Sequence, residues 1–315
     1  MTAELAGAER IFFTEVGPRD GLQNLDRDLT TTQKLDLVKG ALEAGASQVE
    51  ATSFVSPEWV PKLADAEAVM AGLVADLPHS DLDRIRVLVP NRRGLERALR
   101  AGARRVIVNL GVTEAFNQRN LNRSVAETVT EIGQMAQEAV RAECVWDASL
   151  SVAFGCPFEG RVEPTRVVEL AAELVAQGAR EVSIADTIGV ADPEQVRQLV
   201  ELAAAQVPLS WLSLHLHDTR AMGLANALAG YRAGIRRFEG SVGGIGGCPF
   251  APRSTGNVCS EDLLHLLWRV GAEIDVDLAE MCSLAQGLAK TLGCDLPGRL
   301  YRAGVWQPET AQSPA

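Results

Sequence analysis

The chain has 315 residues, 47% of them hydrophobic and 23% charged, so it can bury a full core and is not a disordered chain. Thirty Lys and Arg against 41 Asp and Glu leave a net charge of −11, which argues against a nucleic-acid binder and leaves any anionic substrate to be met by local Arg or Lys. Six scattered cysteines form no CxxC pair, residues 1–9 lack the apolar core of a signal peptide, and no apolar run reaches the roughly 18 residues of a membrane span, so the reading is a cytoplasmic protein with reduced thiols and no membrane partner.

In chain order, residues 1–9 read as a frayed start and Ile11–Thr14 as a first strand. A helix ending at Ala41-Leu42-Glu43-Ala44-Gly45 leads into a second strand at Gln48-Val49-Glu50, and Ile85–Val89 is a third. The same succession recurs at Ala98–Gly102 before Arg105–Val108, at Leu174–Gly178 before Glu181–Ile184, and at Gly230–Gly234 before Ile235–Phe238. A glycine just past a helix accepts the left-handed cap, and the apolar run after it starts a strand. Residues Cys144–Ala153 contain a fifth strand and Trp211–His215 a seventh. Alternating elements imply a parallel sheet, and about eight strands in roughly 240 residues favour an α/β architecture of the (β/α)8 TIM barrel type. A dinucleotide fold would carry GxGxxG after its first strand, and Val16-Gly17-Pro18-Arg19-Asp20-Gly21 lacks that spacing. The barrel is read over residues 10–270, with additional C-terminal helices over 271–305 and a frayed tail over 306–315. The stretch Glu261–Leu292 reads as helix appended to the barrel's end.

Barrel enzymes place their chemistry where strands end, at the C-terminal face. Here those positions hold Arg19 and Asp20, Glu50, Asp186 with Thr187, His215-Leu216-His217-Asp218, and a glycine-rich run from Gly243 to Cys248 followed by Asn257. His215 and His217 are two apart on a strand, so both imidazoles share one face. They are either a hydrogen-bonded core pair or the ligands of one metal, with Asp20 a third ligand from across the mouth. Two His and a carboxylate, with no thiolate, suit Mg²⁺, Mn²⁺ or Zn²⁺. Arg19 is either a surface turn residue or a fixed cation aimed at developing oxyanion charge, and Glu50 could orient it through a bidentate pair. Asp186 either starts a helix or faces substrate. Gly155-Cys156-Pro157-Phe158 and Gly247-Cys248-Pro249-Phe250 repeat the same four letters, and spacing does not decide which thiol, if either, is catalytic.

Glu15-Val16-Gly17-Pro18-Arg19-Asp20-Gly21-Leu22-Gln23-Asn24 resembles the signature of the 3-hydroxy-3-methylglutaryl-CoA lyase family. The resemblance continues through Glu50–Pro57, Phe154–Gly160, Ala185–Val190, His215–Thr219, Gly246–Ala251 and Thr255-Gly256-Asn257. It implies a divalent cation, Mg²⁺ or Mn²⁺, bound by Asp20, His215, His217 and Asn257. It further implies that Arg19 stabilises the enolate of the departing acetyl-CoA, that Glu50 supports Arg19, and that Cys248 transfers a proton and closes the site. Asp186 is taken with Arg19 and Glu50 as substrate-facing. Barrel lyases of this kind resemble homodimers. The chain departs from the family pattern at Ala221 and at Arg253-Ser254, where the family has Gly and Gly-Ala.

The function implied is retro-Claisen cleavage of a tertiary 3-hydroxy-acyl-CoA, first of all 3-hydroxy-3-methylglutaryl-CoA to acetoacetate and acetyl-CoA. Alternatives are a relative acting on citramalyl-CoA or isohexenylglutaryl-CoA, and a homocitrate-synthase-like condensing enzyme that runs the bond in the other direction. A non-catalytic metal- or CoA-binding protein is a further class, against which Arg19, Asp20 and Cys248 all speak.

Overall fold

The computed structural model describes residues 10–25, 27–247 and 256–306. Among them, eight parallel strands close into a barrel: β1 (Phe12–Glu15), β2 (Gln48–Ser53), β3 (Ile85–Leu88), β4 (Arg105–Gly111), β5 (Val145–Ser151), β6 (Val182–Asp186), β7 (Leu212–Leu216) and β8 (Arg237–Gly240). Each strand pairs with its sequence neighbour, and β8 returns to pair with β1. The helices between them include α1 (Thr31–Glu43), α2 (Ala66–Asp76), α3 (Arg92–Arg100), α4 (Val125–Arg141), α5 (Pro164–Ala176), α6 (Pro193–Ala204) and α7 (Gly223–Arg232).

Local chemistry accounts for the alternation. Thr30, Ser124 and Asp192 cap the starts of α1, α4 and α6 with reciprocal bonds to the residue three further on. Gly45, Gly102, Gly178 and Gly234, the glycines of the repeated succession, all have φ between 87° and 107°. A residue with Cβ is strained there, so glycine stops each helix and turns the chain into the next strand.

The stretch expected as appended helix holds two helices. Ser260–Arg269 (α8) packs on β8 and α7 and completes the helical ring, and Leu278–Leu292 (α9) follows after Gly271 at φ 95°. A short hairpin, Gly155–Cys156 with Gly160–Arg161, projects beyond β5. No helix among the described residues is long and apolar enough to cross a membrane.

Branched aliphatics usually fill such a barrel. Here buried charges stand inside it: Glu50 and Arg86 at 0%, Asp147 at 0%, Glu181 at 1% and Glu239 at 3% exposure. Burying a charge is tolerable only when it is paired and hydrogen-bonded, and the pairing follows the strand register. Glu50 lies opposite Arg86 across β2 and β3, and Glu239 opposite His215 across β8 and β7.

Candidate active site and metal centre

The site begins one residue after β1. Residues Gly17–Gly21 form a single wide helical turn in which the amides of Asp20 and Gly21 both point to the Val16 carbonyl. Such π-type turns often mark functional sites because they re-aim side chains. This one presents Arg19 and Asp20 to the barrel mouth. Arg19 Nη1 donates to Asp20 Oδ1 at 2.5 Å, and its Nε donates to Glu50 Oε1. Nη2 makes no hydrogen bond among the described residues.

His215 is the last residue but one of β7 and His217 follows two residues on. Their Nε2 atoms are 3.3 Å apart, and Asp20 Oδ2 lies 3.7 and 3.8 Å from them. These three side chains form the candidate metal cluster of the described residues. A small divalent cation with bonds of about 2.1 Å sets neighbouring ligands roughly 3–3.4 Å apart, close to what is seen. The 256–258 segment runs back along the end of β7, with Val258 N bonded to Leu216 O and Asp218 N to Gly256 O. That pairing sets Asn257 opposite His217. The Asn257 amide nitrogen donates to Asp20 Oδ2 at 2.9 Å and to Ile245 O at 3.2 Å, while its Oδ1 is buried without a partner. An amide whose NH₂ is spent in this way has its oxygen left for a cation. Gly246 is needed beside it: at φ 134°, a Cβ there would stand 2.6 Å from the Asn257 amide nitrogen.

Charge follows the same pattern. Burial alone would raise the Asp20 carboxyl, but Arg19 and the two imidazoles hold it well below the usual carboxylate range. Burial opposes charge on His215, yet Asp20 and Glu239 outweigh it and push its pKa up to about 10. Burial and then the His215 charge hold His217 down to about 4. Glu239 Oε2 faces His215 Nδ1 at 2.8 Å, the usual outer partner of a metal-binding imidazole.

The other sequence candidates fall as follows. Asp186 directs both carboxylate oxygens back at its own loop, accepting from Val190 N at 2.9 Å and Ala191 N at 3.1 Å, and stands outside the metal cluster. Cys156 is buried in the hairpin, where its Sγ accepts from Thr113 Oγ1 at 3.1 Å and Phe158 N at 3.4 Å. Cys248 lies outside the described residues, as do Arg253 and Ser254. Sequence reasoning passed over Glu239 and Arg86. For Arg86 the available signal was a charge in the middle of an otherwise apolar strand; Glu239, in Arg237-Phe238-Glu239-Gly240, carried no such signal.

Ala221, where the resemblance leads one to expect glycine, has φ 59°. A left-handed conformation costs a residue with Cβ about 1–2 kcal/mol, and glycine escapes most of that. Ala221→Gly is therefore expected to stabilise the fold by about 0.5–1 kcal/mol, seen as a higher denaturant midpoint with an unchanged slope. A lower midpoint would contradict it.

Two more carboxyls lie under the site. Glu15 accepts from Gly17 N at 2.7 Å, Val242 N at 2.9 Å and Ser260 Oγ at 2.6 Å, and Glu261 accepts from Gly243 N at 3.0 Å. Burial pushes each from 4.5 up to about 7. A folded pKa raised above the unfolded one gives stability that is complete below pH 4.5 and lost as pH rises through about 7. In Glu15→Gln the amide oxygen can keep both N–H bonds and its NH₂ can donate to Ser260. Melting temperature followed from pH 4.5 to 8 should then fall less steeply in Glu15→Gln than in wild type; parallel curves would show that Glu15 does not titrate there.

Similarity to known proteins accords with this geometry. The HMGL-like family model matches residues 10–288. The chain is 39% identical over 307 residues to (R)-citramalyl-CoA lyase of Chloroflexus aurantiacus, covering 96% of this chain and 97% of that one. It is 38% identical over 291 residues to hydroxymethylglutaryl-CoA lyase YngG of Bacillus subtilis, covering 92% and 96%. The solved structure of an HMG-CoA lyase from Acinetobacter baumannii in complex with coenzyme A and 3-methylmalate superposes with a TM-score of 0.89 at 34% identity, covering 100% of both chains. Fold and site together define a (β/α)8-barrel carbon–carbon lyase. The chain belongs to the HMGL-like family.

Proposed function

We propose that this protein cleaves the bond between C2 and C3 of 3-hydroxy-3-methylglutaryl-CoA, releasing acetoacetate and acetyl-CoA. The observation that carries the reading is the convergence of Asp20, His215, His217 and the Asn257 carbonyl at one barrel mouth, beside a guanidinium with an uncommitted Nη2. Those four residues would hold the cation; nitrogen and oxygen donors without a thiolate suit Mg²⁺, Mn²⁺ or Zn²⁺, and the family resemblance points to Mg²⁺ or Mn²⁺. When bound, the cation supplies Lewis-acid polarisation that lowers the pKa of the substrate's tertiary hydroxyl.

The chain's own groups then divide the work. Asp20, held strongly ionised, serves as a ligand and is a weak proton acceptor. As the hydroxyl proton passes to a water at the barrel mouth and the C2–C3 electron pair moves onto the thioester, negative charge grows on the thioester oxygen. Arg19 meets that charge with Nη2, while Glu50 and Asp20 fix its plane. A proton delivered to the enolate carbon completes acetyl-CoA, and by family resemblance Cys248 delivers it. Asp186 shapes the rim of the β6 loop rather than gripping substrate. The same resemblance extends to a homodimer in a reducing cytoplasm.

A second reading has its own support, since the citramalyl-CoA lyase is as similar as the hydroxymethylglutaryl-CoA lyases. The two substrates differ by one methylene, which a pocket discriminates by only about 10–200-fold. Purified protein with Mg²⁺ or Mn²⁺ should release acetyl-CoA from both, with a higher kcat/KM where acetoacetate is the co-product. A higher value for citramalyl-CoA, with pyruvate as co-product, would reverse the assignment. No acetyl-CoA from either would remove it.

A further inference from the structure

Arg86 sits midway along β3, fully buried. Its Nε donates to Glu50 Oε2 at 2.9 Å, and its Nη2 lies 2.6 Å from that oxygen and donates to Glu239 Oε1 at 3.0 Å. Each of these carboxylates has its other oxygen on a site residue. Glu50 Oε1 takes Arg19 Nε, and Glu239 Oε2 takes His215 Nδ1 at 2.8 Å. A continuous chain of contacts therefore runs from Arg19 through Glu50, Arg86 and Glu239 to His215. Asp20 closes the ring, 2.5 Å from Arg19 Nη1 and 3.7 Å from His215 Nε2.

A buried Arg among acids can be a mere counter-ion. The partition of contacts argues otherwise. Asp147 is bonded by Arg105 at 2.6 and 2.8 Å, and Glu181 by Arg237 at 2.8 Å. Arg86 stands 4.0 and 3.9 Å from those two acids and spends its hydrogen bonds on the pair that hold the site. Glu50 and Glu239 come from β2 and β8, strands that do not pair with each other.

We infer that Arg86 is a positioning residue that fixes the Arg19 guanidinium and the His215 imidazole relative to one another by holding Glu50 and Glu239 on one planar fork. This rests on the proposed metal-assisted lyase reading. A planar fork can serve two carboxylates at fixed angles, whereas the point charge of lysine cannot.

The test compares Arg86→Lys with Arg105→Lys, which perturbs the same buried acid cluster without touching Glu50 or Glu239. Mn²⁺ affinity by calorimetry and steady-state kinetics are read on folded protein, together with melting temperature. Arg86→Lys should weaken Mn²⁺ binding about 10–100-fold, the scale of a lost outer-shell partner, and lower kcat with little change in KM. Arg105→Lys should lose comparable stability while keeping Mn²⁺ affinity and kcat. Two variants alike in affinity and kcat, or an Arg86→Lys that loses only one of the two functions, overturn the inference. If Arg86→Lys does not fold, the Glu50→Gln and Glu239→Gln cycle carries the test. Bridged through Arg86, the two effects on Mn²⁺ affinity should depart from multiplicativity by about threefold or more, and simple multiplication overturns the bridge. A wild-type chain that binds no Mn²⁺ overturns the proposed function itself; a wild type that binds beside an equally competent Arg86→Lys overturns only the role of Arg86.

Discussion

Arg19→Met is expected to fold and to lose about 10²–10³ in kcat, the scale of a single oxyanion partner removed. The loss should fall on kcat, because the interaction with Nη2 strengthens only as the enolate forms, so KM for the acyl-CoA should move by a few-fold at most. Folding should survive because the deletion does not orphan Glu50. Its second carboxylate oxygen keeps Arg86, with Nε at 2.9 Å. Asp20 loses one of the cations that keep it ionised but retains both imidazoles and the Asn257 amide. Arg19→Lys should recover only part of the rate, since a point charge cannot serve Glu50, Asp20 and the substrate oxygen from one plane. Single-turnover rates measured beside melting temperature decide the matter. A Met variant with near-native turnover would take the enolate role away from Arg19.

How far the sequence discloses this molecule depends on how local each feature is. The helix, glycine, strand succession is written within about ten residues, because the left-handed cap at Gly45, Gly102, Gly178 and Gly234 is a property of the backbone itself. The Arg19-Asp20 pair and the His215, His217 spacing are equally local, since a period of two fixes the shared face before any tertiary contact forms. What joins them is not local. Asn257 reaches Asp20 across 237 positions, and Arg86 reaches Glu239 across 153, and both contacts exist only once the barrel closes. A lone arginine between Ile85 and Val87 signals a buried charge without naming its partners. Asp186 is the opposite case. Its position at a strand end suggests substrate, but the carboxylate can satisfy two amides of its own loop, and it does so.

Glu239→Gln tests the imidazole rather than the guanidinium, and its effect should fall on the cation. Arg86 Nη2 lies 3.0 Å from Glu239 Oε1, so a glutamine here must turn its oxygen toward the guanidinium, because its NH₂ would face another donor. The NH₂ then faces His215 Nδ1 and donates to it. That bond forces the ring proton onto Nε2, the nitrogen that faces His217 and Asp20, and a protonated nitrogen cannot ligate. Mn²⁺ affinity should fall about 10–100-fold with the melting temperature nearly unchanged. Wild type supplies the control for protonation. Its His215 is pushed up to about 10, so binding a cation must expel that proton, and Mn²⁺ affinity should climb roughly tenfold per pH unit between pH 7 and 9. In Glu239→Gln the carboxylate that helps hold the proton is gone, so the climb should be shallower even though binding is weaker throughout. Affinity that keeps both its wild-type size and its wild-type slope would mean that Glu239 sets neither the tautomer nor the charge of His215.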